Sequence, residues 1–232
     1  MIYDLSIFYF NENETNQKDI KLVFVHIPKT AGTSIEHVLE NNFNDGGKDK
    51  FRHSNVREIV QKSEINLEDY KVLTVVRNTF DRIFSTWRWY CIHKCHQPFV
   101  ADSKLQKVTF KEYVLMIKKY FNGEIKHIKG HQARIEDEKP CLDISHIEKF
   151  EWWMQNAEGK LVEYDALRFE NLDEEWDNYK HKLCIKEQMV HLNGTPTFAN
   201  MPLISRKEVY DKETYEIISE IYKSEIERFN YE

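Results

Sequence analysis

The chain has 232 residues, a length that suits one domain with a sizeable buried core. Hydrophobic residues make up 41% and charged residues 31%, which is ordinary for a soluble globular protein, and no segment is of low complexity. The formal net charge is −6 and no basic stretch dominates, so the sequence argues against a protein that binds nucleic acid.

The first ten residues are apolar and aromatic, but they include Asp4 and lack a basic segment. No run of about 18 apolar residues, the length that a membrane helix needs, occurs in the chain. The sequence therefore predicts neither a signal peptide nor a membrane span. The four cysteines require no disulfide framework, and reduced thiols in a cytoplasm are expected.

The first strong strand signal follows a polar break at residues 11–19. The apolar run Lys21–Ile27 predicts a buried parallel strand, which ends at Pro28. A turn containing threonine and glycine follows, and Ser34 is expected to cap a helix that continues through Leu39. The pattern is a strand–loop–helix unit.

Strands and helices continue to alternate along the chain. Thr109 and Glu112 have the spacing of a capping box, which marks one helix start. The predicted elements are a helix at 56–61, a strand at 70–76, helices at 79–92 and 109–121, a strand at 161–169 and a helix from Asp211. This alternation predicts an α/β fold, in a single domain over residues 1–232.

The segment FVHIPKTAGTSIE at residues 24–36 has the features of a phosphate-binding loop. A loop between a strand and a helix N-terminus directs backbone N–H groups and the positive end of the helix dipole at an anion. Gly32 allows close approach of the backbone, and hydroxyl donors are available from Thr30, Thr33 and Ser34. Lys29 precedes the glycine, so this is not a Walker A loop. A plain strand-to-helix turn is the alternative.

The run PKTAGTS after an apolar strand resembles the 5′-phosphosulfate-binding loop of sulfotransferases, especially the branch with carbohydrate and heparan 2-O-sulfotransferases. The resemblance implies that Lys29 contacts the bridging oxygen and steadies the charge of the leaving group. It also implies the set of residues that hold the phosphosulfate: Lys29, Thr30, Ala31, Gly32, Thr33 and Ser34.

A second motif, VVRNTFDRIFSTW at residues 75–87, follows the second predicted strand. Arg77 at the strand end and Ser85 two helical turns further could grip one phosphate from two sides, unless Arg77 pairs with a structural carboxylate such as Asp81. The motif resembles the 3′-phosphate site of the same family, R-N/D-P-x-x-R-x-x-S. Thr79 replaces the usual proline, which affects loop stiffness more than phosphate chemistry.

The resemblance extends along most of the chain. The segment DALRFENLDEEW at residues 165–176 is similar to the family's R-F/Y-E-N/D-L segment, and residues 191–193 with 207–231 resemble its ending. The family implies a P-loop-like three-layer fold, with a central, mainly parallel sheet flanked by helices. It also implies 3′-phosphoadenosine-5′-phosphosulfate (PAPS) as sulfuryl donor, no metal, and in-line transfer to an acceptor hydroxyl.

A base must remove the proton of that hydroxyl, and histidine suits this task near neutral pH. His53, in FRHSNVREI at residues 51–59, is the candidate. The 2-O-sulfotransferase branch carries its catalytic histidine in this interval, and related bacterial members have a similar H-S/A-x-A/V-R/K-E run. The alternative is a surface histidine that only caps the following helix.

Other polar residues are weaker candidates. His26 lies on the buried strand and is expected to be a hydrogen-bonded core residue. Gln132 resembles a family glutamine on the acceptor side, and two carboxylates could act as bases: Glu36 and Glu170.

A zinc site is not expected, because one close group of ligand residue types lacks the paired spacing of such sites: Cys91, His93, Cys95 and His96. Stacking on a sugar is a minority interpretation for four tryptophans, since most aromatic stripes are core: Trp87, Trp89, Trp152 and Trp153.

Two other classes compete with a sulfotransferase. A small-molecule kinase that uses ATP and Mg²⁺ would need a Walker A loop and would leave Arg77 and Ser85 unexplained. A non-catalytic nucleotide-binding module would be expected to lack Lys29 or the base. The acceptor is expected to be a glycan or glycolipid. The protein is expected to be cytoplasmic and of bacterial or viral origin.

Overall fold

The computed structural model describes residues 7–9, 20–42, 53–89, 108–125, 135–136, 139–140, 144–192 and 204–232. The chain divides into two compact units. Unit 1 comprises the described residues within Met1–Arg77 and Phe150–Thr197, and unit 2 those within Asn78–Lys149 and Phe198–Glu232. The single domain expected over residues 1–232 stays a prediction.

The strands are short and alternate with helices. In chain order the elements are β1 (Ile7–Tyr9), β2 (Lys21–Val25), α1 (Gly32–Asn42), α2 (Val56–Ser63), β3 (Lys71–Val76), α3 (Thr79–Arg88), α4 (Phe110–Phe121), β4 (Ile135–Glu136), β5 (Lys139–Pro140), α5 (Phe150–Met154), β6 (Asp165–Arg168), α6 (Leu172–Tyr179), α7 (Arg206–Val209), α8 (Lys212–Ile221) and α9 (Lys223–Phe229).

Unit 1 contains a mainly parallel sheet in the order β1-β2-β3-β6. β2, β3 and β6 are parallel, whereas β1 pairs antiparallel with β2 at one edge. The register pairs Val25 with Thr74 and Val76 with Arg168, so the carboxyl ends of β2, β3 and β6 lie at one edge of the sheet. Loops at such an edge are where parallel sheets bind ligands.

β2 and β3 are buried on both faces, as their near-continuous hydrophobic runs predict, whereas β6 at the sheet edge is only partly buried. One face packs with α1 and α6 into a cluster that includes Phe24, Leu73, Ile35 and Trp176, each at most 1% exposed. Burial of such large side chains contributes about 1.5–3 kcal/mol each. This cluster holds α1 in position directly after the loop that follows β2.

Unit 2 is mainly helical around its own aromatic core. α3, α4 and α8 contribute buried residues, among them Phe80, Tyr113 and Ile218. Thr109 caps α4 and forms the predicted capping box with Glu112. The capping prediction is therefore confirmed.

A buried ion pair crosses the interior of unit 2. Arg82 on α3 donates from Nη2 to both carboxylate oxygens of Glu225 on α9 at 3.2 Å, and the Thr79 hydroxyl donates to the same carboxylate at 2.7 Å. Burial lowers the pKa of Arg82, but the combined effects of Glu225, Tyr222 and Tyr113 outweigh it and raise the pKa above its ordinary value. Arg82 is thus a charged structural residue.

The α/β class predicted from the sequence is confirmed, and the mainly parallel sheet with its helices is consistent with a P-loop-like three-layer fold. The predicted strands are all present with shorter bounds. β1 was missed, because three residues of an edge strand carry too little pattern. The expected cap at Ser34 is wrong, since α1 begins at Gly32 and Ser34 lies within its first turn.

Within the described ranges, no helix has the length and apolar character to cross a membrane.

Candidate functional site

The loop after β2 has a strained backbone. Lys29 and Ala31 have φ angles of 68° and 69°, in the left-handed region that costs a non-glycine residue about 1–2 kcal/mol. Left-handed residues that alternate with an ordinary residue turn successive backbone N–H groups into one concavity, a geometry that binds anions. Strain of this kind persists where the surrounding fold enforces it, and it is typical of ligand-binding loops.

Arg77 lies at the end of β3 beside this loop. Its Nη1 donates to the backbone oxygen of Lys29 at 3.1 Å. The guanidinium also stacks on the ring of Phe169, 4.1 Å from the ring centroid. Because these two contacts fix the guanidinium plane, Arg77 presents its charge at the carboxyl ends of β2 and β3.

The Lys29 ammonium is half-buried and shares this edge with Arg77. Burial, and next the positive charge of Arg77, lower the pKa of Lys29 from 10.5 to about 8. Two cations held together in this way favour an anion, since a phosphate would offset both unfavourable effects.

Two hydroxyl groups of the loop are engaged within the chain. Thr30 donates through Oγ1 to the backbone oxygen of Ile27 at 2.7 Å, and its side chain is buried. Ser34 accepts from the backbone N–H of Leu192 at 3.0 Å. A hydroxyl carries one proton, so Thr30 can serve a ligand through its backbone N–H, whereas Ser34 still has a proton to donate. Thr33 and Ala31 are partly exposed.

His53 lies against the same strand end. Its Nδ1 is 3.1 Å from the backbone oxygen of His26, and its ring meets the His26 ring edge-on at 4.5 Å between centroids. A carbonyl oxygen only accepts, so Nδ1 of His53 carries the proton and Nε2 is the basic nitrogen. A φ of 68° puts His53 in the left-handed region as well.

The alternative role of His53 as a helix cap is wrong. α2 begins at Val56, and the side chain of Asn55 accepts the capping bond from the Glu58 N–H. The position of His53 is therefore set by His26 and by its own backbone conformation.

His26 is a buried, hydrogen-bonded histidine, as predicted. It is 6% exposed, and its Nδ1 lies 2.6 Å from Oε1 of Glu36, which is also 6% exposed. A Cβ atom added at Gly32 would lie 2.2 Å from the His26 ring. Gly32 is thus required by the His26 ring, a reason for glycine that the sequence alone did not suggest.

Ser85 and Arg82 occupy α3 in unit 2. Ser85 is partly exposed on the helix, and its assignment to the 3′-phosphate stays a prediction. Asp81, the carboxylate considered as a partner of Arg77, pairs with Arg206 at 3.1 Å. Asn78 caps α3 by accepting from the N–H groups of Phe80 and Asp81, which explains an asparagine directly after Arg77.

Several sequence candidates lie outside the described residues: Gln132, Cys91, His93, Cys95 and His96. Glu170 is exposed, in a 3₁₀ turn after β6. Trp87 and Trp153 are core residues, at 7% and 0% exposure. In the described part of the chain, no group of three or more His, Cys, Asp or Glu residues could hold a metal ion.

Sequence reasoning missed Phe169 as the platform under Arg77. The only signal was its place in the R-F-E-N-L segment, which begins at the carboxyl end of β6. Because β6 is parallel to β3, its end brings Phe169 beside Arg77.

A cleft of about 1170 Å³ lies in unit 1 beside α2 and the amino-terminal ends of β3 and β6. Its described lining contains none of the predicted site residues. The loop, Arg77 and His53 lie instead at the carboxyl-terminal edge. Lys29, Ala31 and His53 have left-handed backbones there, and the charges of Lys29 and Arg77 interact.

The comparison with protein families agrees with this geometry. The family model described as "Sulfotransferase family" matches residues 15–232. No curated protein and no solved structure matches the chain. The family match covers the loop with Lys29, the strand end with Arg77 and the loop with His53, and on this basis the chain belongs to the sulfotransferase family.

Proposed function

We propose that this sulfotransferase-family protein moves the sulfuryl group of PAPS to an acceptor hydroxyl on a carbohydrate. One observation carries the proposal: Lys29 and Arg77 are joined at one sheet edge by a 3.1 Å hydrogen bond, and His53 is hydrogen-bonded to His26, the residue directly after β2. This arrangement puts a site for an anionic leaving group beside a candidate base.

The loop at residues 28–34 would hold the 5′-phosphosulfate. Its concave backbone supplies N–H donors, and α1 directs its positive end at the same place. The Lys29 ammonium would lie against the bridging oxygen and stabilise negative charge as it develops there. Arg77, together with Ser85, would hold the 3′-phosphate that distinguishes this donor from ATP.

His53 would act as the base. As the acceptor oxygen forms its bond to sulfur, the bond between sulfur and the bridging oxygen breaks and its electron pair stays on the phosphate. The acceptor proton moves to Nε2 of His53, and the carbonyl of His26 continues to accept from Nδ1. Positioning and charge stabilisation supply most of the rate, as in phosphoryl transfer.

The acceptor we propose is a glycan or glycolipid, in the cytoplasm of a bacterium or of a cell that hosts a virus. The overall charge of −6 favours an acceptor that is not densely anionic. Membership of the carbohydrate 2-O-sulfotransferase branch is part of the proposal and rests on the PKTAGTS run and the interval that contains His53.

Calorimetry and a transfer assay together test this function. Adenosine 3′,5′-bisphosphate should bind tightly in EDTA, and labelled sulfate should pass from PAPS to one member of a panel of neutral glycans, glycolipids, anionic glycans and small hydroxyl compounds. Lys29→Met should lower transfer by about 100-fold or more, since it removes the charge partner of the leaving group. Lys160→Met, at an exposed turn of unit 1, is the matched control and should keep full activity.

Each contrary outcome points to another class. Preference for ATP with Mg²⁺ over the bisphosphate would indicate a kinase. Tight bisphosphate binding without transfer to any acceptor would indicate a nucleotide-binding module. Transfer to small hydroxyl compounds but to no glycan would keep the reaction and overturn the acceptor class.

A further inference from the structure

We propose that His26 and Glu36 are a positioning pair. They hold His53 in the tautomer with Nδ1 protonated, which leaves Nε2 as the base, and they join His53 to the phosphate loop. This inference rests on the proposed function, because it assigns His53 as the base. Neither His26 nor Glu36 would touch the acceptor, since each is only 6% exposed. Both would act through His53.

The first step is the bond within the pair. The 2.6 Å separation of His26 Nδ1 and Glu36 Oε1 is short, and a hydrogen bond to a charged carboxylate is stronger than a neutral one. Glu36 lies one turn into α1, and His26 directly follows β2. The bond therefore fixes the strand end relative to the helix that follows the phosphate loop.

The second step is the contact with His53. The backbone oxygen of His26 accepts from Nδ1 of His53 at 3.1 Å, while the His26 ring meets the His53 ring edge-on at 4.5 Å. The carbonyl selects the tautomer, and the ring restricts rotation of the imidazole. Both constraints come from one residue, and Glu36 determines the orientation of its ring.

The third step is the contact with the loop. The His26 ring fills the space above Gly32 so closely that a Cβ there would lie 2.2 Å from its Cδ2 atom. A change in the orientation of the His26 ring would therefore alter the conformation of the loop and the position of His53 together. If the pair served only for packing, apolar residues of the same shape would fill the space without the free-energy cost of removing the Glu36 carboxylate from water. The charged pair therefore favours a positioning role.

The experiment compares Glu36→Ala and Glu36→Gln with the control Glu40→Ala, which removes an exposed carboxylate one turn further along α1. Glu36→Ala should lower kcat about 10–100-fold, the scale of effect when the partner behind a functional histidine is removed, with the acceptor KM within about threefold. Bisphosphate affinity should fall as well, because the His26 ring packs against Gly32 of the phosphate loop. Glu36→Gln should recover much of kcat, because its amide oxygen can still accept from Nδ1–H of His26. Glu40→Ala should match the wild type.

Nitrogen-15 NMR of the histidine rings supplies a readout that does not depend on turnover. His53 should show Nδ1 protonated in the wild type and in Glu36→Gln, and a mixture of tautomers in Glu36→Ala. An unchanged tautomer and unchanged kcat in Glu36→Ala would overturn the proposal. Lower bisphosphate affinity with unchanged kcat at saturation would overturn it too, since it indicates a purely structural role.

The two proposals can fail separately. If the wild type transfers no sulfate, the proposed function fails, while the tautomer measurement still tests whether Glu36 orders His53. If transfer is normal and His53 has Nε2 protonated, the positioning role fails and the sulfotransferase activity stands. Should Glu36→Ala not fold, His26→Asn takes its place, because it removes the ring but keeps the backbone oxygen. This variant should show the same mixture of tautomers, and a wild-type tautomer in it would overturn the proposal.

Discussion

The guanidinium of Arg77 donates to the backbone oxygen of Lys29 over 3.1 Å, which joins two residues that are 48 positions apart in the sequence. The backbone position of Lys29 and the orientation of the Arg77 side chain therefore depend on each other. Arg77 supports the strained backbone of the phosphate loop. Burial, and next the charge of Arg77, lower the pKa of the Lys29 ammonium to about 8.

The first prediction is a pH-dependent affinity for adenosine 3′,5′-bisphosphate. A bound anion favours the charged form of Lys29, so binding above pH 8 should be accompanied by uptake of one proton. The affinity should then fall as pH rises through about 8, by up to about tenfold per pH unit. Calorimetry in two buffers with different ionisation enthalpies measures the uptake. Lys29→Arg stays charged and should show none, and equal affinities at pH 7 and pH 10 in the wild type would contradict the prediction.

The second prediction concerns stability in the absence of nucleotide. The pKa of Lys29 is lowered to about 8 in the folded protein from 10.5, so between these values the unfolded chain binds the proton that the folded chain has released. The free energy of unfolding should therefore rise with pH across this window, by about 2 kcal/mol. Urea denaturation at pH 7.5 and pH 10 measures the change. The Lys29→Met variant should lack this contribution, and an equal rise in both proteins would rule out Lys29 as its source.

The third prediction tests the role of Arg77. Arg77→Lys keeps the charge but loses the planar fork that donates to Lys29 and stacks on Phe169. Affinity for the bisphosphate should drop about 10–100-fold, because a charge-assisted hydrogen bond and its geometry contribute about 1.5–3 kcal/mol. The drop should be much smaller for adenosine 5′-phosphosulfate, which has no 3′-phosphate. Equal losses for both ligands in calorimetric titrations would show that Arg77 acts only by supporting the loop.

The fourth prediction is an energetic coupling between Gly32 and His26. Gly32 has an ordinary φ, so alanine would suit its backbone, and the obstacle is the His26 ring at 2.2 Å. Gly32→Ala should destabilise the protein by about 1–3 kcal/mol, the usual cost of overpacking. In a His26→Ala background the same change should be close to neutral, which gives a coupling of about 1–3 kcal/mol in a double-mutant cycle. Additive effects in urea denaturation would refute the steric explanation.

These features also show what the sequence could and could not predict. The loop after β2, the presence of the three parallel strands and the Thr109 cap depend on neighbouring residues, and local patterns predicted them. The features that complete the site depend on residues that are distant in the sequence or on backbone conformation. Phe169 reaches Arg77 through β6, Leu192 donates to Ser34, and Lys29 adopts a left-handed backbone. A histidine on a buried strand was recognised as a core residue, but its bond to Glu36 and its contact with His53 required three-dimensional packing.

The fifth prediction separates two residues of the same motif on α3. Arg82 is 2% exposed and bonded to Glu225, whereas Ser85 is partly exposed. Arg82→Met leaves the Glu225 carboxylate buried without its cation, so it should cost about 3–5 kcal/mol of stability. The double change Arg82→Met with Glu225→Leu removes both charges and should recover most of that loss.

Ser85→Ala should leave the urea midpoint near the wild-type value and should instead weaken bisphosphate binding several-fold, since one hydrogen bond to a phosphate is lost. A large stability loss from Ser85→Ala, or an unchanged bisphosphate affinity, would remove Ser85 from the nucleotide site and leave Arg77 to hold the 3′-phosphate without it.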